Sequence, residues 1–184
     1  MNKDVKAQRD DELFDIVDHL DRVVGQATRA RVHACQLWHR AIHVLIFDRA
    51  GRVLLQKRSM LKDTAPGKWD SSCSGHLDAG EDYEPAARRE LGEELGLVVD
   101  EAPEPWLRLE ACKETGWEFV WVYRMRHAGP FKPHAIEIER VEWWDPVRVG
   151  RAIAVRPDDF APAFRYIWEQ VAAQLDPSGD EATD

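Results

Sequence analysis

The sequence predicts one domain of the α+β or layered α/β/α class, and three observations support that prediction. The chain has 184 residues, of which 44% are apolar and 32% charged, a balance typical of a globular protein with one buried core. Short β-prone runs dominate its middle, and one helical pattern interrupts them. A second helical pattern closes the chain. We expect one domain at residues 12–175, with mobile polar ends at residues 1–11 and 176–184.

The predicted strands are apolar or alternating runs bounded by turn signals. The sequence RAG at residues 49–51 separates the two longest runs, a pattern typical of a hairpin. Pro66 and Gly67 mark a polar loop. The predicted elements are strands at 12–18, 22–26, 39–48, 52–58, 72–74, 105–112, 118–126 and 136–144, and a closing amphipathic helix at 158–175.

Composition limits the classes of partner. A formal net charge of −9 argues against general nucleic-acid binding, which depends on clustered Lys and Arg. Neither a transmembrane run nor a signal peptide is present, so we expect a cytoplasmic protein that does not enter a membrane. Cys35, Cys73 and Cys112 lie far apart and form no CxxC pair, which favours reduced thiols over disulfides or a zinc site.

One helix is predicted with unusual clarity. Pro85 and Gly96 bracket about three turns, because proline favours the first turn and glycine the position after the last. Ala87, Leu91 and Leu95 form one apolar stripe at helical spacing, suited to packing on a sheet.

The same helix carries three acids that repel one another. Glu90, Glu93 and Glu94 lie at i, i+3 and i+4, beside the apolar stripe, and a loop with Gly75 and Gly80 leads into the helix. A solvated acidic face would explain an arbitrary pattern of this kind. Mg²⁺, however, binds carboxylate and carbonyl oxygens and also reaches substrate phosphates. The pattern therefore predicts a divalent-cation site for a phosphorylated small molecule.

Residues 75–97 also resemble the Nudix box, G-x5-E-x7-R-E-U-x-E-E-x-G-U, in which U is a bulky aliphatic residue. The resemblance implies an α/β/α sandwich with a mixed sheet and a loop–helix–loop, and hydrolysis of a diphosphate linked to another moiety. The constrained positions are all filled, by Gly75, Glu81, Arg89, Glu90, Leu91, Glu93, Glu94, Gly96 and Leu97.

The resemblance also implies roles for the residues of the box. Glu93, Glu94 and the carbonyl oxygen of Gly75 would bind Mg²⁺ or Mn²⁺. Glu90 would be a further ligand or would orient the attacking water. Arg89 would hold the glutamates by charge-assisted hydrogen bonds.

Two acids outside this set, Glu81 and Glu137, have less specific roles. Glu81, like Gly96, would be structural. Glu137 could orient the water from a later loop, as Nudix hydrolases often do. With Glu139 and Glu142 nearby, a solvated strand face is an equally good interpretation.

Residues 39–76 look like the Nudix branch that contains isopentenyl-diphosphate isomerase and its hydrolase-like relatives. This closer resemblance implies that Arg29, Arg58 and Lys62 grip the diphosphate, and that Glu118 is a catalytic, metal-binding acid. The alternative for Arg58 is an ion pair with an exposed carboxylate such as Asp63.

Histidines bind a metal in those isomerases, and His33, His39 and His76 fall at matching or nearly matching positions. His76 is a candidate for contact with substrate. The spacing from His33 to His39 is one residue short, so an ordinary structural role is the expectation for His33. For His39, a buried and satisfied histidine is as good an interpretation as a metal ligand.

Two departures from the isomerases favour hydrolysis. Ser74 stands where the isomerase has its catalytic cysteine, and Cys73, one residue earlier, would point to the other face of a strand. Glu90 and Glu93 are retained, whereas the isomerases lack glutamates there. The sequence thus predicts a Nudix hydrolase, with an isomerase and a non-catalytic metabolite-binding module as alternatives. It leaves open the moiety on the diphosphate and the oligomeric state, a homodimer included.

Overall fold

The computed structural model of the protein describes residues 8–175. The predicted mobile end at residues 176–184 lies outside the described residues, as do residues 1–7 of the mobile end predicted at residues 1–11. The predicted fold class is confirmed, since a mixed seven-stranded sheet carries helices on both faces. The strands are β1 (Leu13–Val17), β2 (Val23–Thr28), β3 (His39–Phe47), β4 (Val53–Arg58), β5 (Trp69–Asp70), β6 (Cys73–His76), β7 (Glu104–Leu109), β8 (Glu118–Arg126) and β9 (Ile138–Trp144). The helices are α1 (Arg29–Cys35), α2 (Tyr83–Leu95), α3 (Pro146–Val155) and α4 (Pro162–Val171).

Strand β3 organises the main sheet. It pairs in parallel with β8 along its whole length and antiparallel with β6. With β4 it pairs only at Phe47–Val53, beside the turn; farther on, β6 lies next to β3 and β9 next to β4. The Ser72 hydroxyl spans the divergence, accepting from the Ile46 amide and donating to the Leu54 carbonyl. The two strands thus separate without leaving these buried groups unpaired.

The two faces of the sheet bury different layers. Ile42, Val44 and Ile46 of β3 pack in the cluster that contains the apolar stripe of α2. Ala41 and Leu45 point to the opposite face, into the cluster formed with α3 and α4. This alternation follows from the two-residue period of a strand. Because both faces are covered, β3 is apolar almost throughout, as the sequence suggests.

Helix α2 ends as predicted. Gly96 adopts a left-handed conformation with φ of 65°, and its amide donates to the Gly92 carbonyl. A Cβ at this position would lie 3.0 Å from Cβ of Lys132 as well as being strained at that φ. Glycine is therefore the residue that both the turn and the neighbouring loop allow.

The predicted closing helix at 158–175 is wrong in extent. Pro157 begins a single 3₁₀ turn, Pro162 begins α4, and residues 172–174 form another 3₁₀ turn. Each proline lacks the amide that a continuing helix would need, so the segment is divided. The predicted hairpin of residues 12–26 is confirmed as β1 and β2, whereas α1 and α3 were not predicted. In the described part of the chain, no helix is long and apolar enough to cross a membrane.

Candidate functional site

A cavity of about 850 Å³ lies where β3 and β4 diverge. Its wall combines the exposed end of α2, the polar ends of β3, β6 and β8, and the loop after β4. Residues of the N-terminal segment before β1 also line it, with the Gln8 side chain beside Asp63 and Lys62. Most candidate residues from the sequence line this one space, among them Gly75, His76, Glu90, Glu93, Glu118 and Glu137.

Arg89 holds the glutamates of α2 together. Its guanidinium donates to both carboxylate oxygens of Glu81 at 2.9 and 2.8 Å, to Glu90 at 2.7 Å and to Glu93 at 3.1 Å. It also donates to the His76 carbonyl at 3.0 Å, which ties the helix to β6. Glu81 also accepts from the Asp78 amide at the start of the loop. These charge-assisted bonds fix the acids in spite of their mutual repulsion.

Gly75 allows the closest approach in the site. A Cβ on this residue would lie 2.0 Å from the carboxylate carbon of Glu90, so no side chain fits. The missing side chain lets the nearly buried Glu90 lie against the backbone of β6. Gly75 belongs to that strand, not to the loop in which the sequence placed it.

Glu94 is fully buried beneath β6. One carboxylate oxygen accepts from the Ser74 amide and from the Gln56 side chain, each at 3.0 Å. The other oxygen, Oε1, has no hydrogen-bond partner among the described residues, and Nζ of Lys62 is 3.6 Å away. Burial raises the pKa of Glu94, although Lys62 opposes the shift. An orphaned buried carboxylate oxygen of this kind requires an explanation.

The donor set around Glu90 and Glu94 fits a divalent cation. Burial, and then the charge of Glu94, raises the pKa of Glu90 to about 8. Glu90 and Glu94 are buried carboxylates, and Glu93 is half exposed and shares Arg89 with Glu90. Glu90 lies against the Gly75 backbone, and Glu94 accepts from the amide of Ser74, the preceding residue. A bound cation would satisfy the orphaned oxygen and relieve the repulsion, and oxygen donors are those that Mg²⁺ and Mn²⁺ prefer.

The raised pKa of Glu90 gives a testable pH dependence. The folded protein holds a proton on Glu90 up to a pKa of about 8, whereas the unfolded chain releases it near 4.5. This group therefore stabilises the fold below pH 4.5, and the stabilisation is lost as the pH rises through 8. In EDTA, Glu90→Gln should become more stable than wild type from pH 5 to 8, by at most about 1.4 kcal/mol per pH unit.

Urea unfolding of both proteins in EDTA at several pH values would measure this difference. The buried histidines titrate in the opposite sense, but they are common to both proteins and cancel. Glu84→Gln, a change at an exposed position of α2, is the control and should follow wild type. Parallel stability curves for wild type and Glu90→Gln would show that Glu90 ionises as it does in the unfolded chain.

The predicted diphosphate-binding cations lie at the cavity but are already paired. Nζ of Lys62 lies 2.7 Å from Glu137, and Arg58 donates to the buried Asp70 at 2.9 Å. Arg58 also donates to the carbonyl and hydroxyl of Thr64. The predicted alternative for Arg58, an ion pair with exposed Asp63, is wrong. The β4–β5 pairing faces Arg58 towards Asp70, a partner that cannot be deduced from chain spacing.

Asp63 instead accepts from Arg29 in a two-pronged bond, at 2.9 and 2.8 Å from Nη2. Arg29 is almost fully buried, at 2% exposure, and its other terminal nitrogen lies 3.2 Å from Nδ1 of His76. Guanidinium nitrogens only donate, so Nδ1 of His76 accepts and its ring proton is on Nε2. That Nε2 then donates to Glu118 at 3.0 Å.

A second cluster of donor atoms lies at the end of β3. His33, His39 and His76 each offer a ring nitrogen within 4.8 Å of the others, and Phe14 stacks on two of these rings. Helix α1 carries His33 into the cluster. The altered spacing, on which the expectation of an ordinary role for His33 depended, does not keep it from the other two histidines, because a helix between β2 and β3 absorbs the difference.

The cluster has the chemistry of a transition-metal site. Nδ1 of His39 donates to the Leu37 carbonyl at 2.9 Å, and Nε2 of the same ring lies 3.4 Å from Glu118. Nε2 of His39 and of His33 are buried without a hydrogen-bond partner among the described residues. Burial lowers the pKa of His76 to about 3, so the ring stays neutral. Burial alone would raise the pKa of Glu118, but the neighbouring His76 and His39 hold it well below its usual value. Imidazole and carboxylate donors suit an ion such as Zn²⁺ or Fe²⁺, but His76 could join such a site only by giving up its Nε2 proton and its hydrogen bond to Glu118.

Ser74 and Cys73 face opposite sides of the sheet. Ser74 pairs with His43 and lines the cavity. Cys73 pairs with Val44 and is fully buried in the cluster beneath α2. Burial, and then the charges of Glu94 and Glu90, raises the pKa of its thiol well above the usual range. Cys73 is thus a small core residue without thiolate character.

Several residues of the site were not predicted. Asp70 and Ser71 support Arg58 and His43, and Gln56 binds Glu94. His43 could have been noticed, because His39 and His43 are an even number of residues apart on a predicted strand and must share a face. Gln56 and Asp70 gave no such signal, since their partners are distant in sequence.

Comparison with known proteins relates this geometry to a family. A family model described as a NUDIX domain matches residues 37–165. A protein of Yersinia pestis named an uncharacterized Nudix hydrolase is 36% identical over 154 residues, which cover 82% of this chain and 80% of that protein. An isopentenyl-diphosphate Delta-isomerase of Burkholderia multivorans is 33% identical over 163 residues, or 87% of this chain and 93% of its own.

Similarity extends to solved structures. The crystal structure of DR0079 from Deinococcus radiodurans has a TM-score of 0.76 and 28% identity to this protein, covering 89% of this chain and 99% of its own. The predicted resemblance, to Nudix hydrolases and to the isomerases of the same fold, is confirmed by these matches.

Proposed function

Since the chain belongs to the Nudix family, we propose that it is a divalent-metal-dependent hydrolase that cleaves a diphosphate linked to another moiety. The observation that supports this most is the retained acidic set of α2. Glu90 is buried and lines the cavity, and Glu94 is fully buried with one carboxylate oxygen left without a hydrogen-bond partner among the described residues. Glu93 lies beside them, and Arg89 binds Glu90 and Glu93 directly. A protein that only binds a metabolite has no need of this many precisely held acids.

The proposed roles are those that the resemblance implies, and the positions of the side chains support them. Glu93, Glu94 and the Gly75 carbonyl would hold Mg²⁺ or Mn²⁺, with Glu90 as a further ligand or as the group that orients water. The cation, when bound, would neutralise charge on the diphosphate and lower the pKa of the attacking water. Glu137, in contact with Lys62, is the second carboxylate able to accept a proton from the water.

Basic side chains at the cavity would offset the negative charge of the diphosphate. Lys62, Arg58 and Arg29 all line the cavity of this acidic protein. Lys62 is the most suitable for direct contact, since a flexible ammonium can turn from Glu137 to a phosphate. Arg58 and Arg29 already use most of their donors within the protein, and would act mainly by their charge.

A substrate screen tests the proposal. Sugar nucleotides, dinucleotides, nucleoside triphosphates and prenyl diphosphates would be incubated with Mg²⁺ in ¹⁸O-labelled water. Incorporation of the label into a phosphate product is the expected result. Binding of one compound without any turnover, under Mg²⁺ and Mn²⁺, would instead identify a binding module and overturn the proposal.

The histidine cluster favours a second candidate, an isomerase of isopentenyl diphosphate. His33, His39, His76 and Glu118 come together as the resemblance to that enzyme implies. The candidate is weaker because Ser74 occupies the position of the catalytic cysteine. The nearby thiol of Cys73 is buried on the other face.

A deuterium experiment separates the two candidates. With isopentenyl diphosphate in deuterated water, we expect no dimethylallyl diphosphate and no deuterium in the recovered substrate. The cause is the absence of a thiol on the cavity side of β6. Mass spectrometry of both compounds is the measurement, with Cys73→Ala as the companion variant. Isomerisation that survives Cys73→Ala would show that Ser74 is not inert, and isomerisation lost in that variant would show that Cys73 reaches the cavity.

A further inference from the structure

Small residues form part of the cavity wall. Ala41 and Ala161 belong to the core cluster beneath α4, Ala65 packs against that cluster, and all three face the cavity. Pro162 and Ala163, at the start of α4, continue this wall. These small side chains leave room for a substrate group and carry no hydrogen-bonding atoms of their own.

His43 is the polar group built into this wall. It is 5% exposed, and it lies on the same face of β3 as Ala41. Nδ1 is 2.8 Å from the Ser71 hydroxyl and 3.8 Å from Asp70, whose carboxylate is held by Arg58. These contacts fix the ring by its inner edge.

The outer edge of the same ring, which carries Nε2, makes no hydrogen bond with any described residue. Nε2 of His43 is accessible to solvent. His43 lines the cavity, so Nε2 is the edge that faces it. Burial lowers the pKa of His43, which keeps the ring neutral and unsuited to reading another phosphate.

We propose that Nε2 of His43 hydrogen-bonds the moiety attached to the diphosphate, and that this moiety carries a hydroxyl group there. This inference rests on the proposed hydrolase function and specifies its substrate class, a hydroxylated group such as a sugar. A hydroxyl both donates and accepts, so it pairs with either tautomer of the ring. A hydrocarbon in place of the hydroxyl would displace water from Nε2 and leave the nitrogen without a hydrogen bond. Sites built to bind a hydroxyl therefore discriminate strongly against a substrate that lacks it.

Two variants isolate the Nε2 contact. His43→Asn retains an amide at the position of Nδ1, next to Ser71, and lacks a group at Nε2, whereas His43→Gln can place its amide near Nε2. For UDP-glucose as a hydroxylated probe, we expect His43→Asn to lower kcat/KM about tenfold or more. His43→Gln should recover part of that loss. For dimethylallyl diphosphate, turnover should be weak and equal in all three proteins. Equal kcat/KM for UDP-glucose in wild type and His43→Asn would overturn the inference.

A binding readout separates this inference from the proposed function. ¹⁵N spectra of the imidazoles would follow Nε2 of His43 as UDP-glucose or methylenediphosphonate is added with Mg²⁺. We expect the resonance to shift with UDP-glucose and to stay in place with methylenediphosphonate, which has no hydroxylated moiety. A shift without any hydrolysis would refute the hydrolase function alone. Hydrolysis without a shift would refute the role of His43 alone.

Discussion

Glu94→Gln should lower turnover of any diphosphate substrate by at least about 10²-fold, because it removes the buried negative charge on which the proposed cation depends. Glu94 is fully buried and has one orphaned oxygen, so water cannot take over its role. Glutamine has the same shape and can still accept from the Ser74 amide. The loss should therefore appear in kcat while the fold remains intact.

Steady-state kinetics with Mg²⁺ as the only metal, together with a thermal melt, would measure both effects. Glu84→Gln makes the same change at an exposed position of α2 and should retain wild-type kinetics. The melting temperature of Glu94→Gln in EDTA should not fall, since the change removes a fully buried carboxylate charge and Lys62 keeps its closer ion pair with Glu137. Near-normal kcat in this variant would show that Glu94 holds no catalytic cation.

Local sequence patterns were enough to predict the fold class and the acidic helix α2 of the candidate site. Helix α2 was recognised because its cap, its apolar stripe and its acids are all set by residues within thirteen positions of one another. The hairpin of β3 and β4 was recognised for the same reason. Where a signal is contained in one element, the periodicity of that element specifies which residues share a face.

The rest of the site depends on contacts between distant segments. Arg29 meets Asp63 across 34 positions, Lys62 meets Glu137 across 75, and neither pair is marked by spacing. The place of His33 beside the other two histidines was not predicted, because it requires α1, a seven-residue helix too short to give a clear sequence pattern. Tertiary packing, not local propensity, brings these groups together.

Arg58 shows how such a contact changes a functional expectation. The sequence assigned it to the substrate, and the cavity does include it. Its guanidinium, however, donates to Asp70 and to Thr64, and both members of the ion pair are less than 10% exposed. Asp70 also accepts from the Ser71 amide, next to His43. Removing Arg58 would leave the buried carboxylate of Asp70 with the Ser71 amide as its one strong hydrogen-bond donor.

Arg58→Ala should therefore lower the free energy of unfolding by about 3–5 kcal/mol, the cost of breaking a buried pair by removing one partner. Arg58→Lys should lose less, since an ammonium restores the charge but not the fork that reaches both Asp70 and Thr64. Urea unfolding at neutral pH would measure both. Arg52→Ala breaks an ion pair with Asp48 whose arginine is half exposed, and should cost about 0–1 kcal/mol. If Arg58→Ala is as stable as Arg52→Ala but has a greatly raised KM, Arg58 serves the substrate, as the sequence suggested, and the ion pair with Asp70 adds little to the stability of the fold.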